Sequence, residues 1–340
     1  MQFKRLRSIF LPLVVSLPLT ALAGPFTSMF VFGDSLSDTG NLAVLGGGVL
    51  PPQPPSFGFN GPYYQNAQLS NGPVWIEGLA AGLGLSSNNA APALMGGNNY
   101  AFAGARTDTA LTPPGVLAQA VGLWGTGYAP WGLTGHAAAD PNALYVVVGG
   151  GNDMRDARSA AGGDANSRQA AAVAAVFNLQ QTIGFLYGLG ARNVLVSTLP
   201  DLGYTPEAIH ANLVAESTDA THRFNALIGT GLMGLGAFMP GLHMNLLDMA
   251  GLTDDIVANP GSYGITNTNQ PCLGFGYPGQ EGTVSCEQSA FADVLHPSAL
   301  VHGLIARAAL DVLGVPEPDM LALFGLAVLA LVAARRRRMV

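Results

Sequence analysis

Five short apolar runs, each flanked by Gly, Asp or Asn, constrain the fold of this chain more than any other feature. They are Ser28–Phe32, Asn99–Ala103, Ala143–Val148, Asn193–Thr198 and His243–Leu247. Near-continuous hydrophobicity over so few residues is the pattern of a strand buried on both faces, as in a parallel sheet covered by helices. Helix-like stretches lie between them at Pro73–Gly82, Ser167–Leu189 and Ala208–Leu232; Asn166 or Ser167 is placed to cap the second, and Gly190 follows its end. The alternation predicts a layered α/β/α domain with right-handed crossovers, whose chemistry sits beyond the carboxyl ends of the strands. Gly46–Pro62 and Gly251–Ser289 break the alternation and are expected to be long surface loops. No repeat or internal domain boundary is visible.

The ends have a different character. Met1–Ala23 carries Lys4, Arg5 and Arg7, an apolar run from Ile9 to Leu22 interrupted by Pro12 and Pro18, and a small-residue close at Ala21-Leu22-Ala23. That is the layout of a secretory signal cut after Ala23. At the other end, Met320–Ala334 is free of charge and precedes Arg335–Arg338. As a helix it is roughly 22 Å long against a hydrocarbon core of about 30 Å, so it spans only with help from its flanks. The arginines would stay cytoplasmic, leaving everything before Val315 on the outer face of that membrane.

The body between these ends, residues 24–315, keeps seven arginines against 19 acidic residues, a net charge near −12. Such a surface does not bind nucleic acid through phosphate contacts. Lys4 is the sole lysine of the chain; the body therefore has no Walker-type phosphate loop and no Schiff-base chemistry. Cys272 and Cys286 are expected to form a disulfide closing a loop in an exported protein, and without a neighbouring His pair they make a poor zinc site.

Gly33-Asp34-Ser35 directly follows the first apolar run, which puts the Ser35 hydroxyl at the sheet's carboxyl edge, near a helix N-terminus whose amides favour negative charge. A serine needs a base held by a carboxylate to become nucleophilic. The stretch ADVLHPS supplies Asp293 and His296, three residues apart. Oxyanion donors are available where two other strands end: the Gly104 amide in AFAGART and the Asn152 side chain in VVVGGGNDM, together with the Ser35 amide itself. Asp34, Asp38 and Asn41 are expected to hold the Ser35 loop by turn and cap hydrogen bonds rather than to bind metal, and Asp153 to do the same beside Asn152. His136, His210, His222, His243 and His302 have no paired motif, and Trp75, Trp124 and Trp131 are expected as core or loop anchors, an active-site role staying open for Trp124 and Trp131.

Four motifs in this order, GDSLSDTGN, NNYAFAGART, GGND and DVLHPS, resemble the successive blocks of the GDSL, or SGNH-hydrolase, family of lipases and esterases; SNGPVWIEGLA at Ser70–Ala80 resembles a further segment of its secreted members. The resemblance runs from about Phe26 to Ala309. It implies a five-stranded, parallel, flavodoxin-like sheet in a three-layer sandwich, with Ser35 as nucleophile, His296 as base oriented by Asp293, and Ser35, Gly104 and Asn152 as the oxyanion hole. Ala103 stands where many relatives carry Gly. Ala292 stands where an aromatic is common, which would widen the acyl or alcohol pocket. The G-x-S-x-G elbow of other hydrolases is absent because Ser37 occupies its last position.

The tail, with Pro316-Glu317-Pro318, a short apolar helix and the Arg cluster, resembles the PEP-CTERM sorting signal of Gram-negative bacteria. That implies transient anchoring in the inner membrane, recognition by an exosortase and delivery to the cell surface or matrix; a plain membrane anchor is the alternative. The resulting expectation is a leader at 1–23, a hydrolase domain at 24–314 and a sorting tail at 315–340. The domain is expected to cleave carboxylic esters of a lipid or an acylated carbohydrate through an acyl-enzyme, without cofactor. The alternatives are an acyltransferase or deacetylase of exopolysaccharide, and a catalytically silent surface module.

Overall fold

The computed structural model describes residues 25–47, 67–159, 163–273 and 284–315. The expected leader, the Pro/Gly-rich stretch from residue 48 onward and the tail beyond Val315 lie outside the described residues.

Four parallel strands form the central sheet: β1 (Met29–Phe32), β2 (Leu144–Val147), β3 (Asn193–Ser197) and β4 (His243–Leu247), adjacent in that order. Met29 pairs with Leu144, Leu144 with Asn193 and Asn193 with His243, so the strands start level and their carboxyl ends share one edge. The expected fifth strand is present as an irregular segment. Val31 bonds it on both sides, its N–H donating to Asn98 O at 3.1 Å and its C=O accepting from Tyr100 N at 2.7 Å, and Phe102 N reaches Gly33 O at 3.1 Å. It does not form a regular strand because side chains take its backbone groups: Asn41 Nδ2 donates to Asn99 O and Ala101 O, and Asn99 Oδ1 accepts from Ala101 N.

Alternation along the strands divides the core in two. Met29, Val31, Leu144, Val146 and Leu195 face helices α1 (Trp75–Gly82) and α6 (Ala299–Val312), whereas Phe32, Tyr145, Val147, Val194 and Val196 face α2 (Gly151–Ser159), α3 (Ala165–Leu189) and α4 (Val214–Gly231). Both faces are therefore buried, which explains why the strands read as unbroken apolar runs. Helix α3 begins two residues before its expected start, because Asp164 caps it by accepting from Ser167 N, and Gly190 ends it in a left-handed conformation. It is long and apolar enough to cross a membrane, but Ala172, Ala175, Val176, Leu179 and Ile183 form a helical stripe buried against the sheet.

Two expectations need correction. The stretch 208–232 is not one helix: a short helix at Pro206–His210 stops at Asn212, whose φ of 57° breaks the spiral before α4. Nor is Gly251–Ser289 wholly loop. It contains most of α5 (Met249–Ala258), capped by Asp248, and a strand, Asn267–Pro271, that pairs in parallel with Ser289–Phe291 at its end. The Cys272–Cys286 disulfide lies beside that pair.

Candidate active site

Ser35 lies in a turn two residues beyond Gly33. Gln119 clamps that glycine, accepting from its N–H and donating to its C=O, each at 2.8 Å. Ser37 N and Asp38 N close the turn on Asp34 O. The anticipated helix N-terminus is not at Ser35; the helix begins at Asn41 and runs only to Leu45. A helix of five residues carries little dipole, so charge developing at the hydroxyl is left to individual N–H groups. Asp38 organises the loop instead. Its carboxylate accepts from Gly40 N, Asn41 N and Leu42 N, and from Ala103 N across the site at 2.9 Å. The serine turn and the segment carrying Gly104 are thereby held to one carboxylate.

The opposite wall comes from the turn before α6. Asp293 Oδ1 accepts from Leu295 N (2.7 Å) and His296 N (2.6 Å), while Oδ2 lies 2.6 Å from His296 Nδ1. With Nδ1 donating to that carboxylate, Nε2 is left to accept, and it lies 2.9 Å from Ser35 Oγ. Burial alone would lower the His296 pKa, but the Asp293 carboxylate outweighs it and the net direction is up. Ser70 and Asn71 anchor this turn from a distance in sequence: Ser70 Oγ donates to Pro297 O and Asn71 Oδ1 accepts from Ala299 N.

Asn152 opens α2 after the glycine run. Gly150 there has φ of 112°, and any Cβ would strike the Phe224 ring at 2.5 Å. Asn152 Nδ2 donates to Ala105 O at 2.9 Å, which fixes the residue after Gly104, itself at φ of 80°. Ser35, Asn152 and His296 line one cleft with Asp34. The Asp34 carboxyl is pushed up to about 6, chiefly by burial and against the Leu36 amide and the charge of His296. Asp153 accepts from Thr107 N and Oγ1 and braces the same corner. Among the described residues no group of three or more His, Cys, Asp or Glu side chains is placed to hold a metal ion.

Several residues with no role, or a different one, expected from sequence prove to matter here. Arg155, which lines the cleft, and buried Arg158 both donate to the Glu207 carboxylate, and Glu207 N donates to Val294 O inside the Asp293–His296 turn. These ion pairs thus tie α2 to the turn that carries His296. The i, i+3 spacing of the two arginines on one helix face was the available signal. His302 is fully buried, its Nδ1 accepts from Trp75 N, and burial pushes its pKa down to about 3. Trp124 is a core residue stacked on His136 at 4.6 Å, not a wall of the cleft. Ala292 is fully buried with its carbonyl bonded to Leu273 N, so it widens no pocket; its neighbour Phe291 lines the cleft instead.

Residues 29–309 match the family described as GDSL-like lipase/acylhydrolase, and residues 314–338 match the PEP-CTERM protein-sorting motif. Esterase EstA of Pseudomonas aeruginosa is 30% identical over 330 residues, covering 87% of this chain and 48% of that protein. A GDSL esterase/lipase of Arabidopsis thaliana is 27% identical over 323 residues, 82% of this chain and 85% of that one. The chain spans about half the length of the Pseudomonas relatives it matches. Among solved structures, Est24, a carbohydrate acetylesterase from Sinorhizobium meliloti, aligns with a TM-score of 0.42 at 15% identity over 84% of this chain and 98% of that chain.

Proposed function

The chain belongs to the GDSL-like lipase/acylhydrolase family, and from that premise we propose that it is an exported serine ester hydrolase working through an acyl-enzyme. The observation that carries the reading is the relay in which His296 Nε2 lies 2.9 Å from Ser35 Oγ with Asp293 behind Nδ1. Ser35 Oγ attacks the ester carbonyl carbon as His296 Nε2 takes the hydroxyl proton; Asp293 stabilises the imidazolium that forms. The carbonyl electron pair moves onto oxygen, where the Ser35 and Gly104 amides and the Asn152 side chain are the proposed donors. Collapse expels the alcohol, protonated by His296, and leaves the acyl group on Ser35. Water then attacks with His296 again as base, releasing the carboxylic acid and restoring the serine. Asp34, Asp38 and Asn41 act by holding the loop.

Ser35→Ala in the full chain is the test. It should fold as the parent does and lose both p-nitrophenyl acetate hydrolysis and covalent labelling by a fluorophosphonate. Equal labelling of variant and parent would sink the proposal, and retained turnover would move the chemistry elsewhere.

Export is proposed through the leader at Met1–Ala23, and surface delivery through exosortase recognition of the motif at 314–338. That sorting motif is also the observation favouring a second reading, transfer or removal of acyl groups on an exopolysaccharide. Product analysis with a polysaccharide acceptor tests transfer, since hydrolysis alone under every acceptor rules it out, and acetate release from an acetylated polysaccharide tests removal.

A further inference from the structure

We propose that Glu207 is a positioning residue for the reaction: its carboxylate and its own backbone amide join α2, which carries Asn152, to the turn that carries His296, and so set the base against the oxyanion donor. The proposal rests on the ester-hydrolase reading and adds a residue outside the cleft lining. Glu207 is the second residue of the short helix Pro206–His210, so its N–H has no partner within that helix. It donates instead to Val294 O at 2.8 Å. The peptide unit that accepts there donates from its other side, Leu295 N to Asp293 Oδ1 at 2.7 Å. Asp293 Oδ2 lies 2.6 Å from His296 Nδ1, and His296 Nε2 lies 2.9 Å from Ser35 Oγ. A continuous chain of hydrogen bonds, passing through one peptide unit, therefore runs from Glu207 to the hydroxyl.

The side chain reaches the opposite wall. Oε2 accepts from Arg155 Nε at 2.8 Å and from Arg158 Nη2, and Oε1 accepts from Arg155 Nη2. Arg155 stands one turn beyond Asn152 on α2 and lines the cleft with it. The two-pronged pairing with Arg155 fixes direction as well as distance, and at 3% exposure of the Glu207 side chain water does not compete for it. Glu207 also neutralises the cation nearest the base. Beyond burial, which lowers the His296 pKa, the charges acting on it are Asp293 on its own turn and Asp34 on the serine turn, which raise it, and Arg155 on α2, which lowers it. His302 on α6, pushed down to about 3 by burial, is neutral where the base titrates. Burial alone would raise the Glu207 pKa, but its two arginines outweigh it, so the brace stays ionised over the same range.

The test is p-nitrophenyl acetate hydrolysis by the full chain, Glu207→Gln, Arg158→Met and Arg155→Met, with kcat expressed per Ser35 labelled by a fluorophosphonate. Counting labelled sites removes any misfolded fraction from the rate. Glu207 and Arg158 do not line the cleft, so their effects are not lost substrate contacts. Glu207→Gln and Arg158→Met should each lower kcat per site about tenfold to a hundredfold with KM within about twofold of the parent. Glu207→Gln leaves Arg155 without its counter-charge and should move the acid limb of kcat/KM to lower pH, whereas Arg155→Met removes the cation and should move it to higher pH. A residue that only held the fold together would reduce the number of labelled sites and leave both readouts in place. If Glu207→Gln does not fold, Arg158→Met and Arg155→Met carry the decision. A kcat per site within about twofold of the parent in the folded variants, or an acid limb that they leave unmoved, overturns the positioning role while parent turnover leaves the hydrolase reading standing. No turnover and no labelling of the parent overturns both.

Discussion

Replacing Asp34 with Asn should make the protein more stable at neutral pH and confer almost nothing in acid. The side chain is 5% exposed, and one oxygen accepts from Leu36 N at 3.1 Å. Burial, opposed by that amide and by His296, raises its pKa from 3.8 to about 6. The folded protein therefore keeps this proton to higher pH than the unfolded chain does. Stability from the protonated group is accordingly fully present below pH 3.8 and is lost as pH rises through about 6. A rise from 3.8 to about 6 corresponds to about 3 kcal/mol of stability forgone at pH 8. That is a large share of the roughly 5–15 kcal/mol that holds a typical domain together.

Asn keeps a carbonyl to accept from Leu36 N and carries no charge to desolvate. Urea unfolding of parent and Asp34→Asn, at a series of pH values, should give a gain of up to about 3 kcal/mol at pH 8, shrinking to about 0.5 kcal/mol at pH 4. A variant less stable than the parent at pH 8, or a gain independent of pH, would refute the reasoning. The parent tolerates the cost at a useful place, because the Asp34 charge also helps hold up the His296 pKa from inside the cleft. Stability given up at the proposed reacting centre is the usual form of the trade between stability and activity.

The same electrostatics bear on rate. His296 acts as a base only when neutral and its pKa is raised above 6.5, so the acid limb of the kcat/KM profile should fall above pH 6.5 in the parent and move to lower pH in Asp34→Asn; a limb unmoved by the substitution would contradict this. Asn152→Ala should lower kcat by about 10²–10³ with KM little changed, as expected for a donor used only in the transition state, and a compensating rise in KM alone would argue for a ground-state role. Glu207→Ala leaves Arg158, whose side chain is 4% exposed, without its carboxylate, and should cost about 3–5 kcal/mol in urea unfolding; a loss under about 1 kcal/mol would show that the pair is dispensable.

The strands and the site motifs were legible in the sequence for one physical reason. A strand buried on both faces has to be apolar at consecutive positions, so Leu144–Val147 and its neighbours announce themselves, and the polar, glycine-bearing turns at their carboxyl ends stand out against them. Helix α5 was hidden because its fully buried side chains are only Met249 and Ile256, too few to print a helical period over Thr253, Asp254 and Asp255. The break at Asn212 was hidden because a left-handed non-glycine residue leaves no pattern in its neighbours. The polar run after Ser35 looked like a helix cap beside the proposed nucleophile. Asp38 does bind the first amides of a helix, but that helix starts at Asn41, and the same carboxylate reaches Ala103, 65 residues away in sequence.

Charge burial is the property least available to a reader of sequence, and Asp34 and Glu207, two of the buried carboxyls around this site, show why. Asp34 and Glu207 have the same functional group, and both side chains are almost sealed from solvent. Glu207 is met by two guanidinium groups from residues 49 and 52 positions away, and they hold its pKa below the usual carboxylate range although burial pulls the other way. Asp34 is met by a backbone amide and, among the described residues, by no guanidinium, and burial carries it upward. Neutralising the first should strand an arginine, whereas neutralising the second should relieve a desolvated charge. Two substitutions of like chemistry are therefore expected to move stability in opposite directions, and the difference is set entirely by partners that only the fold assembles.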